Sequence, residues 1–98
     1  IAIARSLSVE LGPEQIRVNA IAPGVVAGDR IRRVFTDRAA QKGISYDDMA
    51  AIALKAVSMK TMVEPDEIAA LVMFLTSAAG RPISGQVMSI CGGLEYTE

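Results

Sequence analysis

The chain has 98 residues, of which 51% are hydrophobic and 21% charged, and its formal net charge is −1. This slightly acidic balance argues against long-range attraction to nucleic acid or to an anionic membrane surface. The absence of histidine excludes Ser-His-Asp and Cys-His catalysis and histidine-ligated metal sites within these residues, and one cysteine excludes an internal disulfide. We therefore expect no nucleic-acid or membrane partner, no metal site and a reducing, cytoplasmic setting.

The first predicted elements are a helix over residues 1–11 and a buried strand over residues 16–22. The helix begins at the first residue, without a methionine, so we interpret the chain as part of a longer soluble protein. The strand is apolar on both faces, which is typical of a parallel sheet covered on both sides. We expect Pro23 to end its hydrogen-bond ladder, because proline lacks an N–H, and Gly24 to permit a close backbone approach.

Helices fill most of the next sixty or so residues. A polar helix is predicted from about 29 to 41, and another follows from Ser45, its expected N-cap, to about residue 57, with Asp48 completing a capping box. A strongly apolar helix begins at Pro65 and is predicted to reach residue 79. A second strand spans 86–91. Two buried strands joined by a helical crossover predict parallel neighbours in one sheet, hence an α/β fold.

Four segments resemble the short-chain dehydrogenase/reductase family, and they occur in the family's order. They are RSLSVELG at 5–12, IRVNAIAPG at 16–24, EPDEIA at 64–69, and SGQ followed by GG within 84–93. The resemblance implies that 1–98 is the C-terminal portion of a single Rossmann-like oxidoreductase domain, contributing helix, strand, helices and strand to a doubly wound parallel sheet. The family's glycine-rich fingerprint and its Tyr-x-x-x-Lys pair are absent here, so we assign no catalytic residue to this chain.

The same resemblance implies an NAD(P)-dependent enzyme that transfers hydride between nicotinamide and an alcohol or ketone, and it leaves NAD and NADP open. It implies a cofactor-binding loop in which Pro23 and Gly24 lie against the nicotinamide ring and Val26 contacts the carboxamide through its main chain. Gly28 stands where many relatives have threonine. The following helix resembles the family's mobile substrate cover, and its apolar side carries Ile31, Val34 and Phe35. An ordinary amphipathic surface helix is the alternative.

The last helix and strand resemble the elements that relatives pack across subunit contacts. We therefore expect a homo-oligomer, a dimer or homotetramer, formed through residues 65–79 and 86–91, although a core helix covered by its own sheet would show the same apolar pattern. Cys91 replaces an aspartate that is frequent in the family, and we expect it to be a buried structural thiol. A non-catalytic assembly module of the same fold is the alternative function.

Overall fold

The computed structural model describes residues 1–94. Two short strands, β1 (Ala20–Pro23) and β2 (Val87–Ile90), lie side by side, and helices occupy most of the remaining described chain. The strands are parallel, with Ala20 opposite Val87 and Pro23 opposite Ile90, so the predicted α/β class and the crossover between adjacent parallel strands are confirmed. The elements are α1 (Ala2–Leu11), a 3-10 turn (Gly12–Glu14), β1 (Ala20–Pro23), α2 (Asp29–Lys42), α3 (Tyr46–Ala53), α4 (Pro65–Thr76), a second 3-10 turn (Ala78–Gly80) and β2 (Val87–Ile90).

Strand β1 starts later than predicted, and before it one backbone bond, from the N–H of Gly85 to the carbonyl of Val18 at 2.7 Å, is joined by side-chain bonds of Asn19. Asn19 Nδ2 donates to the carbonyl of Ile83 at 3.0 Å, and the N–H of Gln86 donates to Asn19 Oδ1 at 3.1 Å. The strand also ends later than predicted. It includes Pro23, and the N–H of Gly24 donates to the carbonyl of Ile90 at 3.0 Å.

The expectation that Pro23 ends the ladder is therefore wrong. Successive N–H groups of a strand point to opposite edges, and those of Ala20 and Gly24 both point towards β2. The nitrogen of Pro23 consequently lies on the other edge, where its missing hydrogen removes no bond between β1 and β2.

Local capping determines where the helices begin. Ser45 Oγ accepts from the N–H of Asp48 at 3.0 Å, which confirms Ser45 as the N-cap of α3. At α4, Glu64 and Glu67 form a reciprocal capping box just before and after Pro65. Both helices end earlier than predicted, at Ala53 and Thr76. Beyond α3, the N–H groups of Ser58 and Met59 donate to the carbonyls of Gly93 and Gly92, and beyond α4 the carbonyl of Gly80 accepts from Arg17.

The buried core is small for a chain of this length. Its members are Phe35, Ala39, Met49, Val57, Val63 and Leu75. The radius of gyration is 17.1 Å, whereas a compact domain of this length would have about 12.6 Å. Several large apolar side chains are exposed, among them Ile3, Val9 and Met73 at 76%, 80% and 70%. Within residues 1–94, strand β1 is half-buried and not fully covered on both faces as predicted.

Of the helices within residues 1–94, none is long and apolar enough to cross a bilayer.

Candidate functional site

A cleft of about 630 Å³ opens where β1 ends and α2 begins, and the continuous segment 23–31 lines it. All four residues predicted to bind a cofactor, namely Pro23, Gly24, Val26 and Gly28, lie in this lining. The cleft is at the carboxyl end of a parallel strand, which is where open α/β sheets hold their ligands. Most of its wall is apolar, with Asp29 and Arg30 supplying the charges.

Val63 fixes the orientation of the loop through its backbone. The N–H of Val63 donates to the carbonyl of Val25 at 2.7 Å, and the carbonyl of Val63 accepts from the N–H of Ala27 at 2.8 Å. These bonds make a parallel bridge between Val26 and Val63. Since backbone groups alternate along an extended segment, the N–H and C=O of Val26 itself point away from Val63. Val26 thus presents one donor and one acceptor that this bridge does not use.

Gly24 is a glycine because the ends of the two strands approach closely. A Cβ on Gly24 would lie 2.9 Å from both the Cα and the Cβ of Cys91, too near for any side chain without a backbone shift. Gly24 does not have a positive φ, so the need for glycine is steric. Cys91 is a free, half-buried thiol whose sulfur accepts from the N–H of Leu94 at 3.3 Å. Its contacts are those of a residue that packs the end of the sheet.

Gly28 is a glycine for a different reason. It is the N-cap of α2 and has a φ of 153° and a ψ of −177°, a conformation that side chains disfavour. The space around it is open, since a Cβ would meet nothing within 4 Å. The backbone of this turn therefore requires glycine, and the side-chain contact that a threonine would offer is absent.

The three residues predicted to cover a substrate have different surroundings. Ile31 is half-buried and lines the cleft. Phe35 is only 2% exposed, forms a core cluster with Ala39 and Met49, and lies 6.0 Å from the ring of Tyr46 between centroids. Val34 packs against the same cluster. Phe35 therefore joins α2 to α3, and Ile31 is the one residue of the three that lines the cleft.

The opposite end of β1 contains polar residues for which no role was predicted. One nitrogen of Arg17, Nη1, donates to the carbonyls of Leu75, Gly80 and Ile83 at 2.6, 2.8 and 3.4 Å. Ser84 Oγ accepts from the N–H of Val18 at 3.2 Å. It also lies 2.7 Å from Ser8 Oγ. Here the polar groups bind the protein itself, and they hold α1, β1 and the end of α4 together.

Residues 1–94 contain no group of three His, Cys, Asp or Glu side chains placed to hold a metal ion.

The role of Val63 in holding the loop was not predicted from the sequence. The only sequence signal was its place immediately before the cap of α4.

Comparisons with known proteins agree with this architecture. A family model described as enoyl-(acyl carrier protein) reductase matches residues 1–95. The chain is 38% identical over 94 residues to 3-oxoacyl-(acyl-carrier-protein) reductase FabG of Chlamydia muridarum, covering 96% of this chain and 34% of the relative. It is 32% identical over 91 residues to 7alpha-hydroxysteroid dehydrogenase of Escherichia coli, covering 93% of this chain and 32% of the relative.

A solved structure of a short chain dehydrogenase family protein from Francisella tularensis superposes with a TM-score of 0.86 at 34% identity. The match covers 95% of this chain and 38% of that one. The chain thus spans about a third of the length of the curated relatives that it matches.

Proposed function

This chain belongs to the short-chain dehydrogenase/reductase family, and we propose that residues 1–98 are the C-terminal portion of one Rossmann-like domain in an NAD(P)-dependent oxidoreductase. In the proposed reaction, hydride passes from C4 of reduced nicotinamide to the carbonyl carbon of a ketone, and a proton completes the alcohol. The reverse direction oxidises the alcohol. Either NAD or NADP is the cofactor.

The observation that carries the proposal is the outward orientation of the main chain at Val26. A nicotinamide carboxamide has a carbonyl that accepts a hydrogen bond and an NH₂ that donates one. Val26 offers the complementary donor and acceptor in one residue, at the wall of a cleft of about 630 Å³. Such a pair would fix the rotation of the ring, and with it the face of C4 that meets the substrate.

The proposed division of labour leaves the proton chemistry outside this chain. The cofactor supplies the hydride chemistry, and the protein supplies binding and orientation. Pro23, Gly24, Val26 and Gly28 form the loop proposed to lie along the nicotinamide, with Gly24 also fixed against Cys91. Ile31 is proposed to contact the substrate, while Val34 and Phe35 stiffen the covering helix through their cluster.

The proposal includes self-association in the cytoplasm. Val72, Met73 and Phe74 on α4 are 42%, 70% and 43% exposed, which is a wide apolar surface on one helix. A second copy of the protein is proposed to cover it, together with β2, in a dimer or tetramer.

Isotope transfer tests the proposed activity directly. The full-length protein that carries this chain is purified and incubated with NADH or NADPH deuterated at C4 and with a panel of ketones. We expect saturable binding of at least one cofactor and deuterium on the carbinol carbon of a product alcohol. A folded oligomer that binds neither cofactor would contradict the proposal and favour the assembly-module alternative.

A further inference from the structure

We infer that Val63 is a positioning residue for the cofactor: its backbone N–H and C=O hold the loop so that Val26 directs its own N–H and C=O into the cleft. This inference rests on the proposed function, because it assigns the outward groups of Val26 to the nicotinamide carboxamide. Val63 is an addition to the proposed function, because it does not line the cleft and acts only through its hydrogen bonds to Val25 and Ala27.

Val63 is suited to this task because it is itself held from both sides. Its side chain is 4% exposed. The next residue, Glu64, is the N-cap of α4, and its N–H donates to Glu67 Oε1 at 2.7 Å. The preceding residue, Met62, packs against the cluster of Phe35, Ala39 and Met49. Val63 therefore joins the start of α4 to the α2–α3 core and gives the loop a rigid support.

The side chain of Val25 packs against the cluster of Phe35, Ala39 and Met49, and the bonds to Val63 restrain the backbone of the same stretch. At one end Gly24 is bonded to Ile90 at 3.0 Å, and at the other end α2 begins after Gly28. Gly28 has no side chain to limit its rotation. Between these ends, the hydrogen bonds on either side of Val26 both go to Val63. Loss of either bond would free Val26 to rotate, and the direction of its polar groups would no longer be fixed.

The test removes one backbone donor and keeps every side chain. Val63 is replaced by its α-hydroxy analogue, which turns the N–H into an ester oxygen and deletes the bond to Val25. The matched control is the same replacement at Val57, another buried valine, whose N–H donates to the carbonyl of Leu54 at 3.0 Å. Both replacements delete one internal hydrogen bond, and only the first concerns the loop.

The readout is discrimination between two cofactors, measured as a ratio of Kd values in the full-length protein. The natural reduced cofactor is compared with its 3-acetylpyridine analogue, in which a methyl group replaces the carboxamide NH₂. One hydrogen bond should give the unmodified protein about a fivefold preference for the natural cofactor. The ester at position 63 should reduce that preference to below about twofold, and the ester at position 57 should leave it at the full value.

The outcomes separate the inference from the function on which it rests. A full preference with the ester at position 63, or an equal loss with the ester at 57, would overturn the role of Val63 while the proposed function stands. No preference in the unmodified protein would overturn the Val26 contact itself. If the ester at position 63 does not fold, hydrogen exchange at the Val63 and Ala27 amides of the unmodified protein decides whether the role of Val63 stands.

Hydrogen exchange supplies a measurement that needs no variant. Saturation with the cofactor should slow exchange of the Val63 and Ala27 amides by at least about fivefold more than exchange of the Val57 amide. An equal change at all three amides would contradict the inference.

Discussion

The two ends of β1 use their polar groups in opposite ways. At the start of the strand, Nη1 of Arg17 donates to three carbonyls. The side-chain amide of Asn19 donates from its nitrogen and accepts at its oxygen, both with the segment before β2. At the other end, the bridge to Val63 leaves the N–H and C=O of Val26 pointing away. We call these the closed end, residues 16–19, and the open end, residues 23–28.

This difference separates stability from binding within a single strand and its flanks. Polar groups that are satisfied inside the protein contribute to folding and are less available to a ligand. Groups that are fixed in direction but not satisfied internally can bind a ligand without a cost of reorganisation. A variant at the closed end should therefore change stability, and one at the open end should change cofactor affinity.

Arg17→Ala should produce the largest effect, because it removes a charged donor from three carbonyls near the end of α4. We expect the free energy of unfolding of the full-length protein to fall by about 3 kcal/mol, with little change in cofactor affinity of the folded fraction. Denaturant titration with and without cofactor measures both quantities. The control is Arg33→Ala, on the exposed surface of α2, which should stay within about 0.5 kcal/mol. An Arg17 variant of unchanged stability would show that the closed end is not structural.

Gly24→Ala should have the second largest effect on stability, because the new Cβ would lie 2.9 Å from the Cα and Cβ of Cys91. Overpacking of this kind costs about 2 kcal/mol, and the loss should appear in the protein without cofactor. The matched control is Gly12→Ala, where a Cβ meets nothing within 4 Å and a gain of about 0.5 kcal/mol is expected. If Gly24→Ala weakens only cofactor binding and leaves unfolding unchanged, the ring and not Cys91 is the reason for glycine.

Met73→Asp tests whether α4, which the closed end anchors, lies at a subunit contact. A buried charge there should raise the Kd of self-association at least about tenfold, or about 1.4 kcal/mol, and sedimentation would show smaller species. Met59→Asp is the matched control, since Met59 is 71% exposed and Met73 is 70% exposed. Equal oligomer mass for both folded variants would place the contact elsewhere.

Sequence reasoning located the open end because its signals are local. An apolar run followed by Pro-Gly marks the end of a strand, and Pro65 with its acidic neighbours marks the start of α4. The helical crossover between two apolar runs predicted the parallel pair, and the Ser45–Asp48 pattern predicted the N-cap of α3.

The remaining features depend on residues that are distant in sequence. The need for glycine at position 24 comes from Cys91, and the orientation of Val26 comes from the backbone of Val63. Any residue except proline can make the two backbone hydrogen bonds of this bridge, so a valine at position 63 predicts only burial. Phe35 was expected to cover a substrate, but its partner Met49 lies on the next helix, and helix periodicity cannot reveal that contact.

The central claim is that the closed end stabilises the fold and the open end binds the cofactor, and one matched pair of backbone replacements tests it. Val18 and Val26 are each replaced by their α-hydroxy analogues in the full-length protein, which removes the N–H of Val18 from Ser84 Oγ and the outward N–H of Val26. We expect the ester at Val18 to lower the free energy of unfolding by about 1 kcal/mol with unchanged cofactor Kd. The ester at Val26 also makes the carbonyl of Val25 a weaker acceptor for the N–H of Val63, and we expect it to raise the cofactor Kd about fivefold or more. An unchanged Kd for the Val26 ester, measured by titration of NADH and NADPH, would contradict the account.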